Sequence, residues 1–178
     1  LTFVLTSLAD NVTLQDTGSN NDDTSILTSN NGTFESTTFT SPNESFALQT
    51  GGNDDIITLE TLDTLFDANI TIDGQAGTDT VTLGAAGNLD LPQDVDITAE
   101  AIQQTNDVSI AGTVHFDVGA NNVTLGNAGN DFNVVELNAN DFTLADADAI
   151  TLGPINLSGT FNLTAAGNID QTAALVVD

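Results

Sequence analysis

The chain has 178 residues, no Lys or Arg, one His and 26 acidic residues, for a formal charge of −26. That length is enough for one domain with a sizeable core. With no positive charge to meet phosphate, nucleic acid is excluded as a partner and anionic membrane is disfavoured. The absence of cysteine excludes a disulfide framework and a thiolate metal site.

Only 15 % of the residues are charged and 39 % are hydrophobic, so disorder driven by charge is not the expectation. The apolar residues are largely β-branched or aromatic and evenly spread, which suits strands. Asn, Asp, Thr and Gly supply turns. A surface this acidic repels itself and favours salt, divalent cations or very regular packing. No run approaches the ~18 apolar residues of a membrane span. A chain without Lys or Arg also resists trypsin-like cleavage, which fits an extracellular setting.

Leu1–Leu5 lacks a positive leading region and does not read as an intact signal peptide. Both ends of the chain read as cuts through a longer protein or as trimmed ends of a mature one. The first forty residues predict strands at Leu1–Thr6, Asn11–Leu14, Ser25–Thr28 and Thr33–Phe39, separated by turn clusters at Thr17–Asp23 and Asn30–Gly32. No period is assigned there. Pro42 opens a bend.

From residue 45 a step of 24 appears. Phe46-x-Leu48 aligns with Ile70-x-Ile72, and Asp55-x-Ile57-Thr58-Leu59 aligns with Asp79-x-Val81-Thr82-Leu83. The extra length is expected to loop out near Glu60–Asp67, where one helical turn fits. From Val95 the step shortens: Val95-x-Ile97 returns as Val114-x-Phe116, 19 residues on. Ala120–Leu125 returns as Ala139–Leu144, and Phe142-Thr143-Leu144 as Phe161-Asn162-Leu163, each again at 19. Ile150-Thr151 returns as Ile169-Asp170. A longer echo joins Ile102–Thr105 to Ile169–Thr172 at an offset of 67, as though blocks of coils were duplicated.

A period of two inside a period of about twenty means short strands stacked coil on coil. The expected fold is all-β: a single parallel β-helix, or β-solenoid, over residues 1–178, with coils of about 19 to 24 residues and two or three strands each. Leu125, Leu144 and Leu163 should form one inward ladder, flanked by Val123, Phe142 and Phe161.

The stretches Ala120–Leu125, Gly126–Phe132, Asp146–Gly153 and Leu163–Ile169 resemble the repeats of filamentous-haemagglutinin-like surface adhesins. The resemblance spans about Val95 to Asp178. It implies a right-handed parallel β-helix in a very large secreted bacterial protein. Nothing matches that family's secretion or receptor-binding domains, so the likeness concerns shaft and not tip. The missing basic residues suggest a salty setting.

Gly74–Val81 resembles the glycine-aspartate calcium repeat of toxin-like secreted proteins, with Gln75 where a second Gly is expected, and Gly52–Ile56 is a partial copy. Carboxylates and turn carbonyls are the hard oxygen ligands that calcium takes. The 24-residue step sets Asp55 beside Asp79, with Asp73 near the same corner, so Asp55, Asp73 and Asp79 are the candidate Ca2+ ligands. Like carboxylates that close repel unless a cation or proton intervenes. The simpler reading is that Gly-x-Asp only turns the coil.

Paired acids at Asp54/Asp55 and Asp146/Asp148 raise glycosidase or lyase chemistry. A lyase needs a cationic group, and His115 is the sole candidate. A glycosidase needs a cleft, and no long insertion is evident to wall one, so no enzyme activity and no catalytic residue are expected. Alternation turns Val114, Phe116 and Val118 inward and His115 outward beside Asp117. The Asn-x-Ser/Thr triplets at Asn11, Asn31, Asn43, Asn69, Asn122, Asn156 and Asn162 matter only in a source that glycosylates them. The nine Phe residues are read as core stacks.

The sequence therefore points to a structural shaft of a secreted adhesin or extracellular fibre at the cell surface. The alternative is a calcium- or carbohydrate-binding module. Phe3-Val4-Leu5 and Leu175-Val176-Val177 leave an apolar strand at each end with no polar cap. End-to-end self-association into a filament is the expected partnership, besides an unknown host or surface ligand.

Overall fold

A computed structural model describes residues 1–177. The strands are β1 (Thr2–Val4), β2 (Asn11–Asp16), β3 (Thr24–Ser29), β4 (Thr37–Thr40), β5 (Ser45–Gln49), β6 (Ile56–Leu59), β7 (Asn69–Asp73), β8 (Thr80–Leu83), β9 (Leu89–Leu91) and β10 (Val95–Thr98). They continue as β11 (Ala101–Gln104), β12 (Val108–Asp117), β13 (Val123–Leu125), β14 (Asp131–Ala139), β15 (Phe142–Asp146), β16 (Ile150–Leu157), β17 (Phe161–Ala165), β18 (Ile169–Gln171) and β19 (Leu175–Val177). No helix occurs among the described residues.

The chain is a β-solenoid of about 6 turns, with parallel coils of about 21 residues. One sheet runs β1-β5-β7-β10-β12-β14-β16-β18, with β9 also on β12 and β19 also on β16; the other runs β17-β15-β13-β11-β8-β6-β2-β3-β4. β12 pairs with β9 through its first residues and with β10 through its last, and β16 likewise pairs with β18 and then β19. From β5 onward the observed steps run from 17, for Val135↔Leu152, to 25, for Ile70↔Val95, whereas the first step, Thr2↔Ala47 and Asn11↔Ile56, is 45 because β3 and β4 are inserted there.

The expected ladders are present. Val123, Phe142 and Phe161 stand in register, as do Leu125, Leu144 and Leu163. The 24-residue step pairs Phe46 with Ile70 and Ile57 with Val81, and Ile150 pairs with Ile169. Strand alternation puts one face inside: Ile70 and Ile72 are buried while Thr71 between them is exposed. Each fully buried Leu, Ile or Phe contributes about 1.5–3 kcal/mol. The Phe142 and Phe161 rings stack at 5.8 Å and 6°.

Three expectations are corrected. Glu60–Asp67 forms no helical turn; it is an irregular loop with a tight turn at Thr64–Leu65. Leu62 and Phe66 are buried in the core there, and the Asp63 carboxylate caps the Leu65 N–H at 2.7 Å, a local bond that competes with helix. The 67-residue echo joins places that are not equivalent, since Ile102 lies on β11 in one sheet and Ile169 on β18 in the other. The first coil is also not bare throughout: β1 is the outer, unpaired strand of its sheet, but the other sheet continues past β2 into a hairpin. β2, β3 and β4 pair antiparallel, and Phe39 on β4 packs against Phe3 and Phe46 at 5.5 and 5.9 Å. This hairpin shows no solenoid period because its strands return on themselves.

At the other end, Phe161, Leu163 and Ala165 are only partly buried, and Ile169, Leu175, Val176 and Val177 are exposed.

Candidate functional site

The corners of the coil are where backbone N–H groups have no partner in the parallel ladder, and they must find acceptors elsewhere. Asp and Asn side chains supply them. Asp10 N–H donates to Asp55 Oδ1 at 2.7 Å, Asp55 N–H to Asp79 Oδ1 at 2.9 Å, and Asp79 N–H to Glu100 Oε2 at 2.8 Å. Four coils are thereby linked along one corner. A second corner does the same through Asp94, which accepts from Thr113 N–H at 2.7 Å, and a third through Asp141, which accepts from Thr160 N–H at 2.7 Å. Inside, fully buried Asn130 accepts from Val108 N–H at 2.9 Å and donates to Leu125 and Ala145 carbonyls at 3.2 and 3.3 Å. A large share of the acidity of this chain is thus structural.

Turn chemistry explains the glycine-aspartate segments. Gly51, Asn53, Gln75 and Gly77 all have left-handed φ, at 98°, 75°, 65° and 156°. Gly51 stacks on Gln75 and Asn53 on Gly77, each 24 residues apart. Gln75 stands where the calcium repeat would have Gly, and it adopts the glycine conformation. Gly74 is needed for space, because a Cβ there would lie 2.4 Å from Asp79 Oδ2.

Asp55 and Asp79 come together as expected, and both are buried. Asp73 ends β7 in the other sheet, where its Oδ1 accepts from Gln75 N–H at 3.0 Å. Burial, then the neighbouring Asp10 and Asp54 charges, push the Asp55 carboxyl up against the pull of the Asp10 N–H. Burial likewise drives Asp79 up to about 6, helped by the charges of Asp55, Glu100 and Asp54 and opposed by the Asp55 N–H.

Among the described residues, the ligand atoms that converge to within 4.8 Å of one another are carboxylate oxygens of Asp16, Asp22 and Asp63. Asp63 is buried, which alone would raise its carboxyl. The N–H groups of Leu65, Asp22, Asn21 and Asp23 outweigh that and hold it below the usual range. Sequence spacing could not reveal this group, because 47 residues separate Asp16 from Asp63.

The acidic pairs are engaged in turns. Asp54 accepts from Thr78 N–H at 2.9 Å, and Asp146 accepts from Phe132 and Asp148 N–H groups at 2.8 and 3.1 Å. His115 faces outward on the same side of β12 as Asp117, as expected, and its Nδ1 lies 3.0 Å from Asp96 Oδ1 on the preceding coil. The 60–67 loop does wall a cavity, of about 370 Å³, lined by Leu62, Asp63, Phe66, Asp90 and Leu91. A groove therefore exists where no insertion long enough to build one was expected.

Stacked ladders closed at their corners by Asp and Asn define a β-solenoid repeat protein. The chain belongs to the family described as repeats of unknown function (DUF5649), which it matches over residues 67–138 and again over 139–178, more than half of its length. The two matches abut, so the repeat runs in tandem. No curated protein and no solved structure matches the chain.

Proposed function

We propose that this chain is a non-catalytic shaft segment of a secreted bacterial surface adhesin or extracellular fibre, and that its coils associate end to end. One observation carries the reading: inward apolar ladders repeat coil after coil along both sheets, with register shifts at the bulges of β12 and β14, and finish on a partly exposed apolar slab of Phe161, Leu163 and Ala165. A slab with an unpaired strand edge is satisfied by a further coil presented by another copy. A head-to-tail contact of that kind is open and generates a fibre. Small-angle scattering of the 178-residue chain across concentration at high salt tests it. Elongating particles support the reading, and a monomer at every concentration with the last coil fully protected removes it. Shaving intact cells with a protease that does not need Lys or Arg tests the surface location.

A second reading is a divalent-cation-binding module, with Ca2+ as the ion. The convergence of Asp16, Asp22 and Asp63 favours that group as its seat over the corner of Asp55, Asp73 and Asp79. Calorimetric titration with calcium, on the chain and on Asp16→Asn, separates the two readings.

A further inference from the structure

The cavity of about 370 Å³ lies between the 60–67 loop, Asn20 in the turn after β2, and Asp90 and Ser109 on β9 and β12. Its floor is apolar, since Leu62, Phe66 and Leu91 are buried there. A second cavity, of about 590 Å³, shares Thr64 and Pro92 with it, so the two adjoin along that rim. Carboxylates line both: Asp63 and Asp90 the first, Asp23 and Asp67 the second. Apolar surface lies open among them, with Pro92 exposed and Leu65 45 % exposed. Asp90 is the outward residue of β9, between buried Leu89 and Leu91. The acidic lining continues beyond it, because Asp90 pairs with Ser109 and Ser109 with Asp131 in one outward column. The walls are tied down: Asp63 accepts from N–H groups of the turn after β2, and Gln93 Nε2 donates to Asp67 at 2.6 Å.

We propose that this double groove binds an extended peptide segment of another protein, one that alternates basic and apolar side chains, with its cationic heads at Asp90 and Asp67 and its apolar groups on Leu65 and Pro92. Carboxylates above an apolar floor suit a cation carried on an apolar stem, which is what Lys and Arg side chains offer. Side chains on one face of an extended segment recur at about 7 Å, which is how one segment enters two adjoining cavities. A bare metal ion would leave the apolar floor unused. A second copy of this chain does not fit the role: it has no Lys or Arg, its amino terminus is held by the Ser45 carbonyl, and His115 is held by Asp96. The partner is therefore a different, basic protein. The groove lies away from the slab of Phe161, so it stands or falls separately from end-to-end association.

The experiment is calorimetry and amide NMR of the 178-residue chain with a synthetic peptide of alternating Lys and Leu. It is run with a chelator, which keeps Ca2+ away from Asp63, and at about 0.15 M salt, where a Debye length of ~8 Å mutes distant charge. The peptide should bind and shift amides clustered at Leu62, Leu91 and Ser109. Asp90→Lys sets like charges face to face and should weaken binding about tenfold or more. Asp170→Lys makes the same change of charge at an exposed position on β18 and should weaken it far less. Equal losses in the two variants, or shifts spread over the whole acidic surface, would show charge attraction without a site and overturn the proposal. Spermidine binding as tightly as the peptide would overturn it too, because the groove would then read cation alone. So would equal binding of a peptide with Gln in place of each Lys, because the cation would then count for nothing. Should Asp90→Lys fail to fold, the shift map of the unmodified chain and the two control ligands still decide.

Discussion

The backbone N–H of Asp55 donates to the carboxylate of Asp79 at 2.9 Å, 24 residues on and one coil along, while Gly74 leaves the room that carboxylate occupies. A residue read as a metal ligand is therefore first a cap for its neighbour. Gly74→Ala would set a methyl 2.4 Å from Asp79 Oδ2 and 2.7 Å from its Cβ. Overpacking of this kind costs about 1–3 kcal/mol. The expected result is a lower chemical-denaturation midpoint, together with lost exchange protection at the amide of Asp55. Gly18→Ala has open space around it but also a left-handed φ of 125°, so it should cost less and leave Asp55 protected.

Phe142 is buried between Val123 and Phe161 in the ladder. Phe142→Ala should destabilise by about 3–5 kcal/mol through lost burial and a cavity. Phe161→Ala removes the same side chain from a partly exposed position and should cost clearly less. Equilibrium denaturation of both variants checks the ratio. Equal costs would mean that the face beyond Phe161 is covered in solution, as end-to-end association requires.

The ladders were legible because side-chain alternation and coil length both leave a trace in the sequence. Val123, Phe142 and Phe161 sit at equal steps, so the stack could be read directly. Steps altered by a bulge, as between Ile110 and Thr113 in β12, could not. The hairpin of β3 and β4 was hidden because antiparallel return leaves no period. Asp63 was missed because its partners, Asp22 and Asp23, lie some 40 residues away in the chain. The Asp55–Asp79 contact was legible from the 24-residue step, but Asp10 was not, since it belongs to the region without a period.

The hydrogen bonds of Asp141 give a local test. Thr160 donates to it through both N–H and Oγ1, each at 2.7 Å, and these two bonds hold the Asp141 carboxyl below its usual range. Asp141→Ala should speed amide exchange at Thr160 and at Phe142, whose N–H bonds the Thr160 carbonyl at 2.9 Å, with little effect on global stability because the site is exposed. Two-dimensional NMR exchange rates read this directly. Uniform acceleration across the chain would contradict a purely local role.

Asp63 and Asp79 should carry opposite pH signatures. The Asp63 carboxyl is lowered, so the stability it confers is present above the ordinary aspartate range and is lost as pH falls through its folded value. Asp63 accepts from the N–H groups of Asp22, Asp23 and Leu65 at 2.9, 3.2 and 2.7 Å, tying the turn after β2 to the 60–67 loop. Asp63→Asn has only one oxygen left to accept, and should lower Tm at pH 7 by about 3–6 °C. That gap should narrow once the pH falls below about 4, the ordinary aspartate range, and close as it passes the lower folded value of Asp63, where the wild-type carboxylate is itself protonated. The Asp79 carboxyl is raised to about 6, so the folded state binds its proton more tightly than the unfolded chain does. Its contribution is full below the ordinary aspartate range and disappears as pH rises through 6. The difference between wild type and Asp79→Asn should therefore open as pH increases, where that for Asp63→Asn closes as pH decreases. Melts of the three proteins across pH 3 to 8 compare them on one axis. Parallel curves would show that overall surface charge, and not these two carboxyl groups, sets the acid response of the fold.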